Sequence, residues 1–181
     1  MAAQPAGRSH PASGERLQLM DAADALRRVA GLVAQRATPH ETLSAIAQEL
    51  ARFLGADFTS LLRYEPDGTA AMAGWWGASG AGVPLGTRLT VAGEDVAVSV
   101  LATGQPAWTD RFDGPAGSVS ASFRRLGVRS AAGAPIMLEG RLWGVAIAAA
   151  SQPGRLPERK ARPALSGRPT AALSDSSRKE R

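Results

Sequence analysis

The segment SAAGAPIMLEGRLWGVAIAA, residues 130–149, constrains the fold more than any other: two apolar runs flank Glu139 and Gly140. That spacing predicts an antiparallel hairpin with strands over 129–138 and 141–149, because a tight Gly-containing loop returns a strand on itself. In the second strand, alternation puts Trp143, Val145 and Ile147 on one face and Leu142, Gly144, Ala146 and Ala148 on the other. Both faces are apolar, so the strand belongs at the centre of a sheet. The small residues let a helix pack closely, and the larger face can floor a cavity. Pro135 has no N–H for a ladder and implies a bulge or a locally exposed edge.

The rest of the chain supplies the elements around this hairpin. Leu26, Val29, Ala30 and Val33 follow the spacing of one helical face, which predicts a helix over 19–36. Thr38-Pro39-His40-Glu41 is a capping box with proline at the first helical position. The helix it starts carries an apolar stripe of Leu43, Ile46, Ala47, Leu50, Phe53 and Leu54, and Gly55 stops it. Residues 58–64 read as a strand, Glu65-Pro66-Asp67-Gly68 as a turn, and 69–76 as the returning strand. Residues 86–90 make a minor strand, 95–103 a short helix ending at Gly104, and 106–109 an edge strand, since Pro106 cannot donate to a central ladder. A second short helix over 118–126 stops at Gly127.

Composition removes several functions. The chain has no cysteine, so it makes no disulfide and has no thiol nucleophile or cysteine-ligated metal. The N-terminus has no apolar signal region, and the longest apolar stretch, at 143–150, is shorter than the roughly 18 residues a spanning helix needs. The expected setting is cytoplasmic, with no membrane partner. Residues 1–150 carry 13 basic and 13 acidic side chains, whereas 151–181 carry 8 and 3, so the tail holds the whole net charge of +5. A neutral folded part does not point to nucleic acid.

A helix pair, a hairpin, short helices with edge strands, and a final central hairpin come in the order found in the GAF domain. AIAQELARFLGADFTSLLRYEPDGT, GWWG, VSVLATGQPAWTD and LGVRSAAGAPIMLEGRLWGVAIAAAS resemble the GAF module of bacterial sensor histidine kinases and related signalling proteins. The resemblance spans residues 26–151 and is most specific at Arg129-Ser130-Ala131, Ala134-Pro135-Ile136 and residues 140–144. It implies an α+β fold: a six-stranded antiparallel sheet, a helical layer on one face and a ligand pocket on the other. It also implies small-molecule sensing, a bias passed to an output domain, and homodimers formed through the N-terminal helices. The domains expected are a disordered segment over 1–18, a GAF domain over 19–151 and a tail over 152–181.

Family chemistry narrows the cofactor, whose identity stays unknown. Bilin attachment and free-methionine sulfoxide reduction in this fold use cysteines, which are absent. Haem needs an axial ligand, and His10 lies in the N-terminal segment while His40 sits at a capped helix start. The candidate pocket comprises Trp76, Arg88, Glu94, Val98, Trp108, Asp110, Phe112, Trp143, Val145 and Ile147. Trp108 and Phe112 can stack on a planar ligand, Arg88 or Arg111 can pair an anion, and N–H groups near Asp95 can meet a phosphate at a helix start. The competing account makes Trp108 core, Asp95 and Asp110 caps, and the arginines solvated. Gly77 to Gly82 follows a hairpin strand, so a loop fits it better than a dinucleotide fingerprint. Trp75 and Trp76 point to opposite faces. Asp110 and Asp113 can hold a hard cation, but two carboxylates in a loop are a weak signal, and no metal or catalytic motif stands out.

After Ser151 the GAF resemblance calls for a long helix, yet the chain has Pro153, Pro157, Pro163 and Pro169 with few large apolar residues. Proline at that spacing predicts a mostly disordered basic tail. It is either an appendage for an acidic partner or, the preferred account, the product of a frameshift or truncation in GC-rich coding DNA. The sequence therefore points to a non-enzymatic GAF sensory domain, a fragment or relative of a sensor histidine kinase. The alternative is a standalone interaction module with a filled pocket and a basic tail.

Overall fold

A computed structural model describes residues 38–80, 82–153 and 156. The helix expected over 19–36, the segment 1–18 and most of the tail lie outside the described residues. The described elements are α1 (Pro39–Leu54), β1 (Phe58–Tyr64), β2 (Thr69–Gly77), β3 (Arg88–Thr90), α2 (Val96–Thr103), β4 (Ala107–Thr109), α3 (Val119–Arg125), β5 (Ser130–Leu138) and β6 (Arg141–Ala150).

Local chemistry sets where α1 begins and ends. The Thr38 hydroxyl accepts from the Glu41 N–H at 3.3 Å, and the Glu41 carboxylate accepts from the Thr38 N–H at 2.7 Å. Gly55 closes the helix at φ 66°, a left-handed conformation that glycine adopts without a Cβ penalty. Ala47, Ala51 and Leu54 recur at i, i+4 and i+7 and form the buried line. Phe53, expected in that stripe, lies about 100° round the helix from Leu54 and stays exposed.

The six strands form one antiparallel sheet in the order β3-β2-β1-β6-β5-β4. β6 is central, as its two apolar faces require, between β1 and its hairpin partner β5. The hairpin turn places Glu139 at φ 50° and Gly140 at φ 77°, the paired positive values that match strand twist. β4 pairs only with residues 131–133 of β5, so Pro135 sits where β5 is locally an edge.

α1 lies across β2 and β1. The contact depends on Gly74, where an added Cβ would stand 2.7 Å from the Leu43 carbonyl oxygen. Beside it the Thr59 hydroxyl donates to the Ala47 carbonyl of α1 at 2.5 Å. Leu54 and Ala56 join Ala148, Ala150 and Leu156 in a smaller cluster. Leu156, between Pro153 and Pro157, is 4% exposed, so among the described residues of the tail it docks on the domain.

The opposite face carries the main core: Phe58, Leu62, Met72, Val145 and Ile147 from the sheet meet Val96, Val100, Phe112, Val119 and Phe123 from above. Two bulges decide which side chains reach it. Leu61 pairs with Gly74 and Leu62 with Met72, so Ala73 is the extra residue in β2. Ile136 pairs with Gly144 and Met137 with Leu142, so Trp143 is the extra residue in β6. Each extra residue inverts the alternation beyond it.

Candidate ligand site

The sheet face opposite α1 is roofed by α2, α3 and the loops that join them to β3 and β5. α2 starts at Asp95, whose carboxylate accepts from the Val98 N–H at 3.0 Å, and α3 starts at Ser118, whose hydroxyl accepts from the Ala121 N–H at 3.1 Å. Backbone bonds tie the loops together: the Glu94 N–H donates to the Asp113 carbonyl at 2.6 Å and the Thr90 N–H to the Gly117 carbonyl at 3.0 Å. Gly93, at φ 99°, lies against the Asp113 backbone so closely that a Cβ would collide with its carbonyl oxygen.

Three of the ten candidate residues come together beneath this roof. Val145 and Ile147 are floor, and Phe112 descends to an edge-to-face contact with Phe123, centroids 5.9 Å apart at 73°. The two tryptophans change places with their neighbours because of the bulges. Trp76 pairs across from Thr59 on the α1 side, while Trp75 packs on the main core. Leu142 packs on that core and Trp143, at the bulge, does not.

The polar candidates stay outside. Arg88 is exposed, with Nη2 2.6 Å from the Asp67 carboxylate and 2.9 Å from the Thr69 hydroxyl, so the guanidinium is engaged at the rim. Glu94 is exposed at 4.0 Å from Arg111, and Asp110 is exposed. Trp108 is 41% exposed on the short edge strand β4, where Ala107 is the residue that turns to the core. Val98 is half-buried on α2, and its N–H, expected to be open to a phosphate, is taken by Asp95.

Other polar groups lie deeper than sequence reasoning placed them. Asp95 is 2% exposed, and its second oxygen accepts from the Ser120 hydroxyl at 2.6 Å. The Tyr64 hydroxyl donates to the Ala97 carbonyl at 2.6 Å; burial, and then the nearby Asp95 charge, push its ionisation well above the ordinary tyrosine range. Ser60 is 1% exposed on the same face as Phe58, Leu62 and Tyr64, a position that the alternation of β1 makes readable. Neither its hydroxyl nor the Trp75 indole nitrogen has a hydrogen-bond partner. Among the described residues no group of three or more His, Cys, Asp or Glu side chains could hold a metal ion. None of the described helices is long and apolar enough to cross a membrane.

Among the described residues, one antiparallel sheet with a helix on one face and a roof of short helices and loops on the other defines an α+β domain. The chain belongs to the GAF domain family, whose model matches residues 38–162. Known structures share the fold. The phycocyanobilin-bound GAF domain of a cyanobacterial phytochrome matches at TM-score 0.52 and 20% identity over 71% of this chain and 79% of that one. The GAF domain of an Acinetobacter phosphoenolpyruvate-protein phosphotransferase matches at TM-score 0.54 and 18% identity over 76% and 78%. The free methionine-R-sulfoxide reductase of Neisseria meningitidis, in complex with its substrate, matches at TM-score 0.52 and 19% identity over 84% and 82%. No curated protein matches the chain.

Proposed function

We propose that this chain is a regulatory GAF domain of a cytoplasmic bacterial signalling protein, related to the sensor histidine kinases, that binds a small molecule between its sheet and the α2–α3 roof. The observation that carries the reading is the roof itself. It consists of two short helices that pack on the sheet through Val96, Val100, Val119 and Phe123, with capped starts and a few loop-to-loop backbone bonds joining their ends, local contacts that a ligand can order or rearrange. The structures that share the fold include a domain with a bilin bound and a reductase with its substrate. Bilin-type thioether attachment and thiol-based reduction both need the cysteine this sequence lacks, so the reading is regulatory rather than catalytic. Homodimerisation through N-terminal helices is part of the proposal.

Native mass spectrometry of the purified full chain, paired with a thermal-shift screen of small metabolites, tests it. A co-purifying mass or a compound that raises the Tm supports sensing; bare protein at monomer mass, unmoved by the screen, overturns it. A second reading, an interaction module with a filled pocket whose basic tail engages an acidic partner, is favoured by the central packing of Val96, Val100, Phe112 and Phe123 onto the sheet. In that case no small molecule binds.

A further inference from the structure

We infer that the α1 side of the sheet is a seat for two helices, that α1 fills one place, and that residues 19–36 of the same chain fill the other. Register defines the floor, because residues paired directly across strands project to one face. One row runs Trp76–Thr59–Ala148–Ala132–Trp108 across β2, β1, β6, β5 and β4, and the next runs Gly74–Leu61–Ala146–Ala134. α1 stands at the β1–β2 end of these rows, where Gly74 meets the Leu43 carbonyl and the Thr59 hydroxyl meets that of Ala47. Four strand spacings separate the two tryptophans, about 19 Å, and packed helices lie about 8–10 Å apart. With α1 over β1 and β2, the width left over β6 and β5 is that of one more helix.

That second place is covered. Ala132 and Ala134 are 2% and 3% exposed, yet neither belongs to either core cluster, and α1 lies on β2 and β1 with a lesser contact to β6. Ala134 has a paired strand on one side only, since the pairing of β4 stops at Gly133, so neighbours within the sheet do not close it off. The flank of α1 beside the place is apolar as well. Leu54, about 20° round the helix from Ala47, reaches Ala148 and Ala150, and Leu50, Ile46 and Phe53 continue the same way at about 60°, 100° and 120°. Residues 19–36 fit as the occupant. They stop one residue short of the Thr38 cap, and so short a link returns a helix antiparallel to its neighbour. Leu26, Val29, Ala30 and Val33 give them one apolar face, and 18 residues of helix span about 27 Å, enough for the roughly 20 Å of floor from Ser130 to Ile136. The chain after β6 is a poorer fit, because Pro153, Pro157, Pro163 and Pro169 interrupt any helix of that length. On β5, Ala132 and Ala134 alternate with Ala131 and Gly133, which face the roof, so residues 19–36 and the roof bear on opposite faces of one strand. The segment is thereby placed to feel a shift of β5 imposed from the roofed side, while the seat itself does not depend on the sensing reading.

Methyl NOE spectroscopy of the full chain, labelled at alanine, leucine and valine methyls, tests the assignment on the wild-type protein. The expected result is cross-peaks from the Ala132 and Ala134 methyls to those of Leu26, Val29 or Val33, which vanish in an isotope-filtered experiment on an equal mixture of labelled and unlabelled chain. Val29→Asp, which presses a charge onto an apolar floor, should remove these cross-peaks and lower the Tm by more than about 4 °C, whereas Arg28→Ala, on the outer side of the segment, should leave both as they are. Ala132 and Ala134 methyls with no cross-peak to residues 19–36, or with cross-peaks to another part of the chain instead, overturn the assignment. Cross-peaks that survive the filter seat the segment of a second copy there and overturn it too. A compound that raises the Tm while these cross-peaks are missing leaves sensing in place and this seat refuted; cross-peaks present with no stabilising compound give the reverse.

Discussion

Asp95 shows how a buried charge is kept in this domain. A carboxylate removed from water is costly unless its oxygens are met, and here one meets the Val98 N–H and the other the Ser120 hydroxyl, at the positive end of α2. Asp95→Ala should therefore cost about 1–3 kcal/mol, since it removes the cap and strands the Ser120 hydroxyl, and Ser120→Ala should cost about as much, since it leaves a buried carboxylate oxygen unmet. Urea denaturation at pH 7 reads both, and a negligible loss for either would contradict the buried pairing. Tyr64 lies under the same helix, and its phenol is held in the protonated form by burial and then by the Asp95 charge. Its folded ionisation is raised above the unfolded value of 10.0, so the stability it contributes is complete below that value and is lost as pH rises past it. Tyr64→Phe gives up the bond to the Ala97 carbonyl, about 0.5–1.5 kcal/mol at neutral pH, and should flatten the decline of wild-type stability above pH 10. Parallel alkaline curves for the two proteins would refute the assignment.

Elements that begin and end on local chemistry can be read from sequence; those whose faces depend on bulges cannot. The capping box at Thr38 and Glu41 forms as its four residues require, and Thr38→Ala should lower stability by about 1 kcal/mol, measured as a shift in urea midpoint. Glu41 is held below the usual carboxylate range by the Thr38 N–H and then the Thr38 hydroxyl. A depressed folded value means that this contribution is present above the ordinary carboxylate range and disappears as pH falls through it. The stability gap between wild type and Glu41→Gln should accordingly close on acidification; a gap that persists in acid would count against it. Glycine stops, turn residues and the pairing of the final hairpin were legible for the same local reason. The tryptophans were not. Trp76 and Trp143 share the parity of Met72 and Val145, and strict alternation assigns them to the roofed face. The extra residues Ala73 and Trp143 interrupt that period, so Trp75 and Leu142 pack there instead. Ala73 has no side chain that marks a bulge; what holds its displaced carbonyl is His40 Nδ1 of α1, 3.3 Å away and 33 residues earlier. A tertiary contact of that kind leaves no trace in a local pattern.

At the scale of the molecule, β1 and β6 form the spine, α1 leans on one face near Gly74, and the roof closes the other. The two faces are built differently. On the α1 side, alanine and glycine let a helix approach; on the roofed side, large aliphatic and aromatic side chains interlock around polar caps. The seam beside the end of α1 is where the chain after β6 matters. Charge and proline content mark residues 152–181 as unlike the domain, and that contrast conceals Leu156, which closes the smaller cluster against Leu54, Ala56, Ala148 and Ala150. Two alanines on β6 leave a shallow surface that needs a larger side chain laid over it. Leu156→Ala removes most of that side chain from a site 4% exposed, and buried leucines cut to alanine lose about 2–5 kcal/mol, with the lower end expected where neighbours can settle inward. Leu138→Ala, at a position 58% exposed on the hairpin tip, should change stability by less than about 0.5 kcal/mol. Thermal and urea unfolding of the two variants beside wild type decide the matter. Similar small effects from both would show that the domain ends with β6, whereas a loss confined to Leu156→Ala would extend its core into the tail.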